Sequence, residues 1–184
     1  MGAAVASAVA ALRGDGEISV DVIRILKHLV APRWVVARAF PPAVLDRIEA
    51  AIRASEISHR GEIRFVAEAG LDLFPLLKGL SPRVRALEVF AQLRVWDTEE
   101  NTGVLVYVQC IDHHIEIVAD RGINARVPQA EWDAVCQRME EAFQSRRFEH
   151  GTLAGIERIT TLLTLHFPAS GVNPDELPDR PVTL

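Results

Sequence analysis

The sequence predicts an α/β fold, a three-layer α/β/α sandwich around a small mixed sheet with an N-terminal helical extension. Three observations predict it. Amphipathic segments with apolar residues at helical spacing alternate with short β-rich runs. One run, "GVLVYVQC", is almost continuously apolar, as a strand covered on both faces must be. The next run, "HHIEIVAD", follows after the short turn "IDHH", the spacing of a hairpin.

Each element has a local reason. Ile18, Val22, Ile25, Leu26 and Leu29 share one face of a helix over Ile18–Val30, opposite Asp21, Arg24 and Lys27. "APRWVVARAF" reads as an extended connector or short strand that stops at Pro41 and Pro42, and proline suits the first turn of the helix that follows, 42–54. In "SHRGEIRFVAEA", Gly61 marks a turn, and Ile63, Phe65 and Ala67 alternate with Glu62, Arg64 and Val66 to make a strand. After a loop or short helix, Ser81 and Pro82 open a helix that ends near Trp96, with Val84, Leu87, Phe90 and Ala91 recurring on its inner face. The hairpin comes next. Pro128 then opens a helix through about Ser145 that turns Trp132, Val135, Cys136, Met139 and Phe143 inward, and "FEHG" separates it from a last helix over 152–166. The tail "SGVNPDELPDRPVTL" has three prolines and no periodicity, so it is expected to wrap over the surface or stay mobile. The expected organisation is an extension over 1–39, a domain over 40–168 and a Pro-rich tail over 169–184.

Composition narrows the function. With 184 residues, 49% hydrophobic and 24% charged, the chain has material for one full core. The net charge of -5 and the scattered arginines argue against nucleic acid as a partner. Cys110 and Cys136 are too few and too far apart for a zinc motif or a disulfide framework, and each is flanked by apolar residues, so both read as core. The Ala/Val run at the N-terminus lacks a preceding basic residue and strong hydrophobes, which argues against a signal peptide, and no apolar stretch has the length of a membrane span. A cytoplasmic protein is the expectation.

Two clusters carry oxygen and nitrogen donors. In "SEISHRGE", Glu56 and His59 lie three residues apart at a helix end with Glu62 close by; that spacing suits a metal, although such a histidine also caps a helix C-terminus. In "DHH", Asp112 and two imidazoles sit in the hairpin turn, where His113 and His114 point to opposite faces and are poorly placed to share an ion. The usual phosphatase supports are missing from the sequence: it has no Cys-x5-Arg loop, D-x-D-x-T/V motif or Gly-rich phosphate cradle.

Three separated words resemble the TPM-domain family, the group that includes thylakoid-lumen acid-phosphatase-like proteins. "NTGVLVYV" is similar to the family's D-N-G-V-L-L-x-V strand, "IEIVADRGI" to V-R-I-E-V-G-x-G-L, and "FQSRRFEHGTLAGIERI" to F-R-x-G-D-Y-x-x-G-I-x-A-G-V-x-x-L. The resemblance covers 40–167 and implies an α/β/α fold with acidic loops that bind a divalent metal at one end of the sheet. It also implies weak acid phosphatase activity in some members and a role in protein-complex assembly in others. The family's acidic positions fall on Asn101, Asn124 and Arg147 here, so three are lost. Neighbouring groups can substitute: Asp97, Glu100 and Asn101 before the strand, Asp112 at the hairpin and Asp120 after it, with Arg121 as a phosphate grip. The block from Asp97 to Asn101 reads equally as a solvated turn, with Asn101 in the left-handed conformation. The resulting expectation is a binding or accessory module that takes Ca2+ or Mg2+, uses no organic cofactor and has another protein as its partner. The alternatives are a weak metal-dependent acid phosphatase and a membrane-surface adaptor acting through the helix over 18–30.

Overall fold

The structure, a computed structural model, describes residues 34–70, 81–170 and 173–184. The elements are α1 (Trp34–Ala39), α2 (Pro42–Glu56), β1 (Glu62–Glu68), α3 (Pro82–Gln92), β2 (Gly103–Gln109), β3 (His114–Ala119), α4 (Arg121–Asn124), α5 (Gln129–Gln144), α6 (Phe148–His166) and β4 (Val182–Thr183). The four strands lie in the order β3-β2-β1-β4. β1 runs parallel to β2 and to β4, and β2 runs antiparallel to β3. This is the mixed sheet of an α/β fold.

Strand alternation sorts the side chains into two cores. Ile63, Phe65, Ala67, Val104, Val106, Val108, Ile115 and Ile117 join Ile48, Ile52, Trp132, Met139, Phe143, Ile159 and Leu163 of α2, α5 and α6. On the other face Val66, Leu105, Tyr107 and Val118 meet Ala86 and Val89 of α3. β2 is buried at every position, which is why its sequence shows no alternation. Gly103 opens that strand where a Cβ would sit 1.8 Å from the Val95 carbonyl oxygen, so the α3 exit crosses the strand entry at a spacing only glycine allows. Cys110 is buried and Cys136 is partly buried against the large core, and burial pushes both thiols up to about 12, which keeps them protonated.

Four expectations are corrected. Trp34–Ala39 is a helix, not an extended connector, and it lays Val36 and the following Phe40 into the large core. "FEHG" is the first turn of α6; the break falls at 145–147, where Arg146 has φ 57. Gly151 belongs to that helix because a Cβ there would lie 2.8 Å from the Ala142 methyl, so the glycine serves close packing of α6 on α5. On α3 the inner face is Ala86 and Val89, while Val84 and Leu87 are 43% and 46% exposed. Arg85 explains the rotation: its guanidinium grips Glu68 of β1 at 2.7 and 3.1 Å, and that anchor sets which side of α3 meets the sheet. Ser81 caps the helix as expected.

The tail departs furthest from its reading. Residues 182–183 add to the sheet as β4, with Val66 opposite Val182 and Ala67 opposite Thr183, and Leu177 is buried in the smaller core. Proline-rich composition removes helical periodicity, but it does not prevent a short edge strand. Among the described residues no helix is long and apolar enough to cross a membrane. The helix expected over 18–30 and the segment over 71–80 lie outside the described residues.

Candidate functional site

The site grows from the junction between α2 and β1. Ser55 and Ser58 bend their hydroxyls back onto the Ile52 and Ser55 carbonyls at 2.7 and 2.8 Å, which ends α2 at Glu56. From the tail, Asn173 donates its amide to the Glu56 and His59 carbonyls at 2.9 and 3.0 Å and so satisfies the exposed helix end. The chain turns through Gly61 and enters β1 at Glu62. Glu56 accepts the Ile63 N–H at 3.1 Å, and Glu62 accepts the Leu177 N–H at 3.1 Å. The two carboxylates therefore face each other across the turn, and the tail brings a third, Asp175. Ligand oxygens of Glu56, Glu62 and Asp175 all lie within 4.8 Å of one another.

Electrostatics at this junction are unfavourable as it stands. Burial and the Glu62 charge push the Glu56 carboxyl up to about 9, and burial pushes Glu62 up to about 7. The local cations are Arg53, which donates to Asp179 at 3.0 Å, and buried Arg64, which acts through its charge on Asp179 and Glu56. Among the described residues these two guanidinium groups face the carboxyl groups of Glu56, Glu62, Asp175, Glu176 and Asp179. A hard divalent cation could supply balancing charge, since its oxygen distances of about 2.3–2.6 Å place opposite ligands about 5 Å apart. The observed convergence matches that scale.

His59, the third member of the expected cluster, turns elsewhere. Its Nδ1 accepts the Gly61 N–H at 3.2 Å, its Nε2 is buried without a partner, and burial lowers the ring to about 4, so it stays neutral. Asp175 had no signal beyond the density of carboxylates in "NPDELPD".

The acidic block before β2 is a structured turn. Thr98 accepts the Thr102 N–H at 2.9 Å, Glu100 pairs with Arg60, and Asn101 takes φ 57 as expected. Arg121 donates to the Asn101 side chain at 2.7 Å, and its own N–H is capped by Asp120 at 2.7 Å. Asp97 is exposed. Thus Glu100, Asn101, Asp120 and Arg121 are already engaged within the fold, although one buried Asp120 oxygen has no partner. The tail touches this turn as well, since Glu176 accepts the Glu99 N–H at 3.0 Å.

Asp112 does not join them. Register pairs Val104 with Ala119 and Gln109 with His114, so the hairpin turn lies at the end of the sheet opposite Asn101 and Asp120. A strand of seven residues puts about 20 Å between the two ends. At that far end His114 sits between Glu116 at 3.0 Å and Glu140 at 2.8 Å, while His113 packs edge-on against Phe148.

A parallel-antiparallel sheet sandwiched by helices, with unneutralised carboxylates at the entry to β1, defines the class: an α/β domain with a candidate hard-cation site. A family model described as "TPM domain" matches residues 36–162. The chain belongs to the TPM-domain family. Among solved structures it is similar to the NMR structure of the BA42 protein from the psychrophilic bacterium Bizionia argentinensis, with 31% identity and a TM-score of 0.65 over 77% of this chain and 92% of that one. No curated protein matches it.

Proposed function

We propose that this chain is a binding module that holds a hard divalent cation, calcium or magnesium, through Glu56 and Glu62 of its TPM domain and Asp175 of the segment that follows. One observation carries the reading: three carboxylates from α2, β1 and the tail converge within 4.8 Å at a place where too few cations offset them. This moves the expected ion from the turn at Asp97–Asn101 to its neighbour at the same end of the sheet. The ion would neutralise the junction and present its open coordination positions to an acidic or oxygen-rich group on a protein partner.

Calorimetric titration of calcium and magnesium into metal-stripped full-length protein tests the reading. Saturable binding that disappears in Glu56→Gln/Glu62→Gln and survives in Asp97→Ala/Asp112→Ala/Asp120→Ala is the expected result. Binding lost only in the second variant would restore the turn as the site, and no binding to the wild type would remove the cation altogether. Ion-dependent hydrolysis of an aryl phosphate, absent from the Glu56→Gln/Glu62→Gln variant, would favour a metal-dependent phosphatase instead, with the ion polarising the phosphoryl oxygen.

A further inference from the structure

We propose that Asp179 completes this cation site and that the bound ion fastens the C-terminal segment over 173–184 onto the body of the domain. The inference rests on the cation reading above and adds a fourth ligand and a mechanical consequence.

Asp179 is 5% exposed. One of its oxygens accepts from Arg53 at 3.0 Å, and the other is buried without any partner. Its carboxyl group lies within hydrogen-bonding reach of Glu56. Two ionised carboxylates in contact have acceptors only, so the gap between them needs a positive centre or a shared proton. Leaving a buried carboxylate oxygen unsatisfied is costly, and through Glu56 the Asp179 carboxyl borders the point where Glu56, Glu62 and Asp175 converge.

The four ligands divide evenly between two parts of the chain. Glu56 and Glu62 belong to the α2–β1 junction, whereas Asp175 and Asp179 belong to the segment that runs past it. Other attachments also hold that segment. Asn173 caps α2, Leu177 donates to Glu62, Glu176 accepts from Glu99, Arg53 pairs with Asp179, Arg64 donates to the Arg180 carbonyl, and β4 and Leu184 bond to β1 and Ala69. Leu177 is its buried hydrophobe in the small core. Without an ion, acidic groups crowd one another across this seam; with one, both sides share it as ligands. An ion that binds the fastened arrangement more tightly than the loosened one must, by linkage, stabilise the fastened arrangement to the same degree. The cation is thus a latch on the strand that covers the β1 edge.

Hydrogen–deuterium exchange on the full chain, in EDTA and in saturating calcium, reads the latch directly. The amides of Leu177 and Leu184 and that of Ala69, which donates to the Leu184 carbonyl, are expected to exchange at least tenfold more slowly with calcium, while amides of α5 and α6 do not change. Asp179→Asn should weaken calcium binding at least tenfold by calorimetry and return the tail to its ion-free exchange rate. Asp175→Asn, at an exposed position, repeats the test without disturbing a buried group. Calcium that binds the wild type without slowing the tail would overturn the latch and leave the cation reading standing. Wild-type affinity in Asp179→Asn would overturn its role as a ligand. Absence of calcium and magnesium binding in calorimetry would sink both the reading and the latch.

Discussion

The two ends of β1 carry the same residue type in opposite electrostatic circumstances. At the entry, Glu62 faces Glu56 and Asp175, and its carboxyl is raised to about 7. At the exit, Glu68 is gripped by Arg85 at 2.7 and 3.1 Å and takes the Tyr107 hydroxyl as a further donor. Burial is nearly equal, 1% and 7% exposed. Counter-charge makes the difference. A buried glutamate with its own arginine is a structural clamp, whereas Glu62 meets other carboxyl groups at its end of the strand.

Breaking the clamp should have the largest effect. Arg85→Leu leaves the Glu68 carboxylate buried and unpaired, and should cost about 3 kcal/mol in urea unfolding. A loss below about 1 kcal/mol would mean that Tyr107 alone suffices, and the contrast between the ends would weaken.

The entry should respond to pH and to ions, in the opposite sense to a paired carboxylate. Both Glu56 and Glu62 bind their protons more tightly in the folded chain. Their contribution to stability is therefore complete below the ordinary range near 4.5, and it is lost as pH rises through about 7 and then about 9. Thermal melts in EDTA at pH 5, 7 and 9 should show a falling midpoint, and calcium should restore most of the loss at pH 9. A midpoint that is flat across this range would count against the raised carboxyls.

Neutralising the entry by mutation should help the ion-free protein. Glu56→Gln keeps the acceptor for the Ile63 N–H and no longer has to take up a proton on folding at pH 8, so the melting midpoint in EDTA at that pH should rise by about 3 °C. A lower midpoint would indicate that the Glu56 charge is already compensated.

The smallest effect belongs to the hairpin end. His114 is half-buried between Glu116 and Glu140, and hydrogen bonding to Glu116 raises its pKa. That contribution is full below about 6.5 and fades as pH rises through the raised value. His114→Gln should cost about 0.5 kcal/mol at pH 5.5 and almost nothing at pH 9. A cost independent of pH would assign the residue to packing instead of charge.

The legible parts of the fold were those with local causes. The all-apolar run of β2, the cap at Ser81 and the left-handed turn at Asn101 each follow from residues next to one another. The pairing of Glu56 with Glu62 was also within reach, because one turn joins them. Asp175 was not, since its contact spans more than a hundred residues and the tail has no period to reveal where it lies. The rotation of α3 was hidden for a similar reason: apolar spacing marks Val84 and Leu87, but the decisive contact is polar, Arg85 with Glu68. Asp112 teaches a different lesson. A hairpin turn must fall at the end of a sheet opposite the entry of its first strand, so the separation of Asp112 from Asn101 is written in the order strand, turn, strand.

The two glutamates of β1 also bear on how the strand finds its place. They are six residues apart on the same face, with Arg64 and Val66 between them, while Ile63, Phe65 and Ala67 occupy the other. Apolar alternation forbids a slip of one residue but tolerates a slip of two, because every side chain keeps its face. A two-residue slip would carry Glu68 away from Arg85 and Tyr107, and Glu62 away from the Leu177 amide. The polar ends of β1 thus act as stops on a ruler whose apolar markings repeat, and they select one alignment of the sheet from those that hydrophobicity alone leaves equivalent.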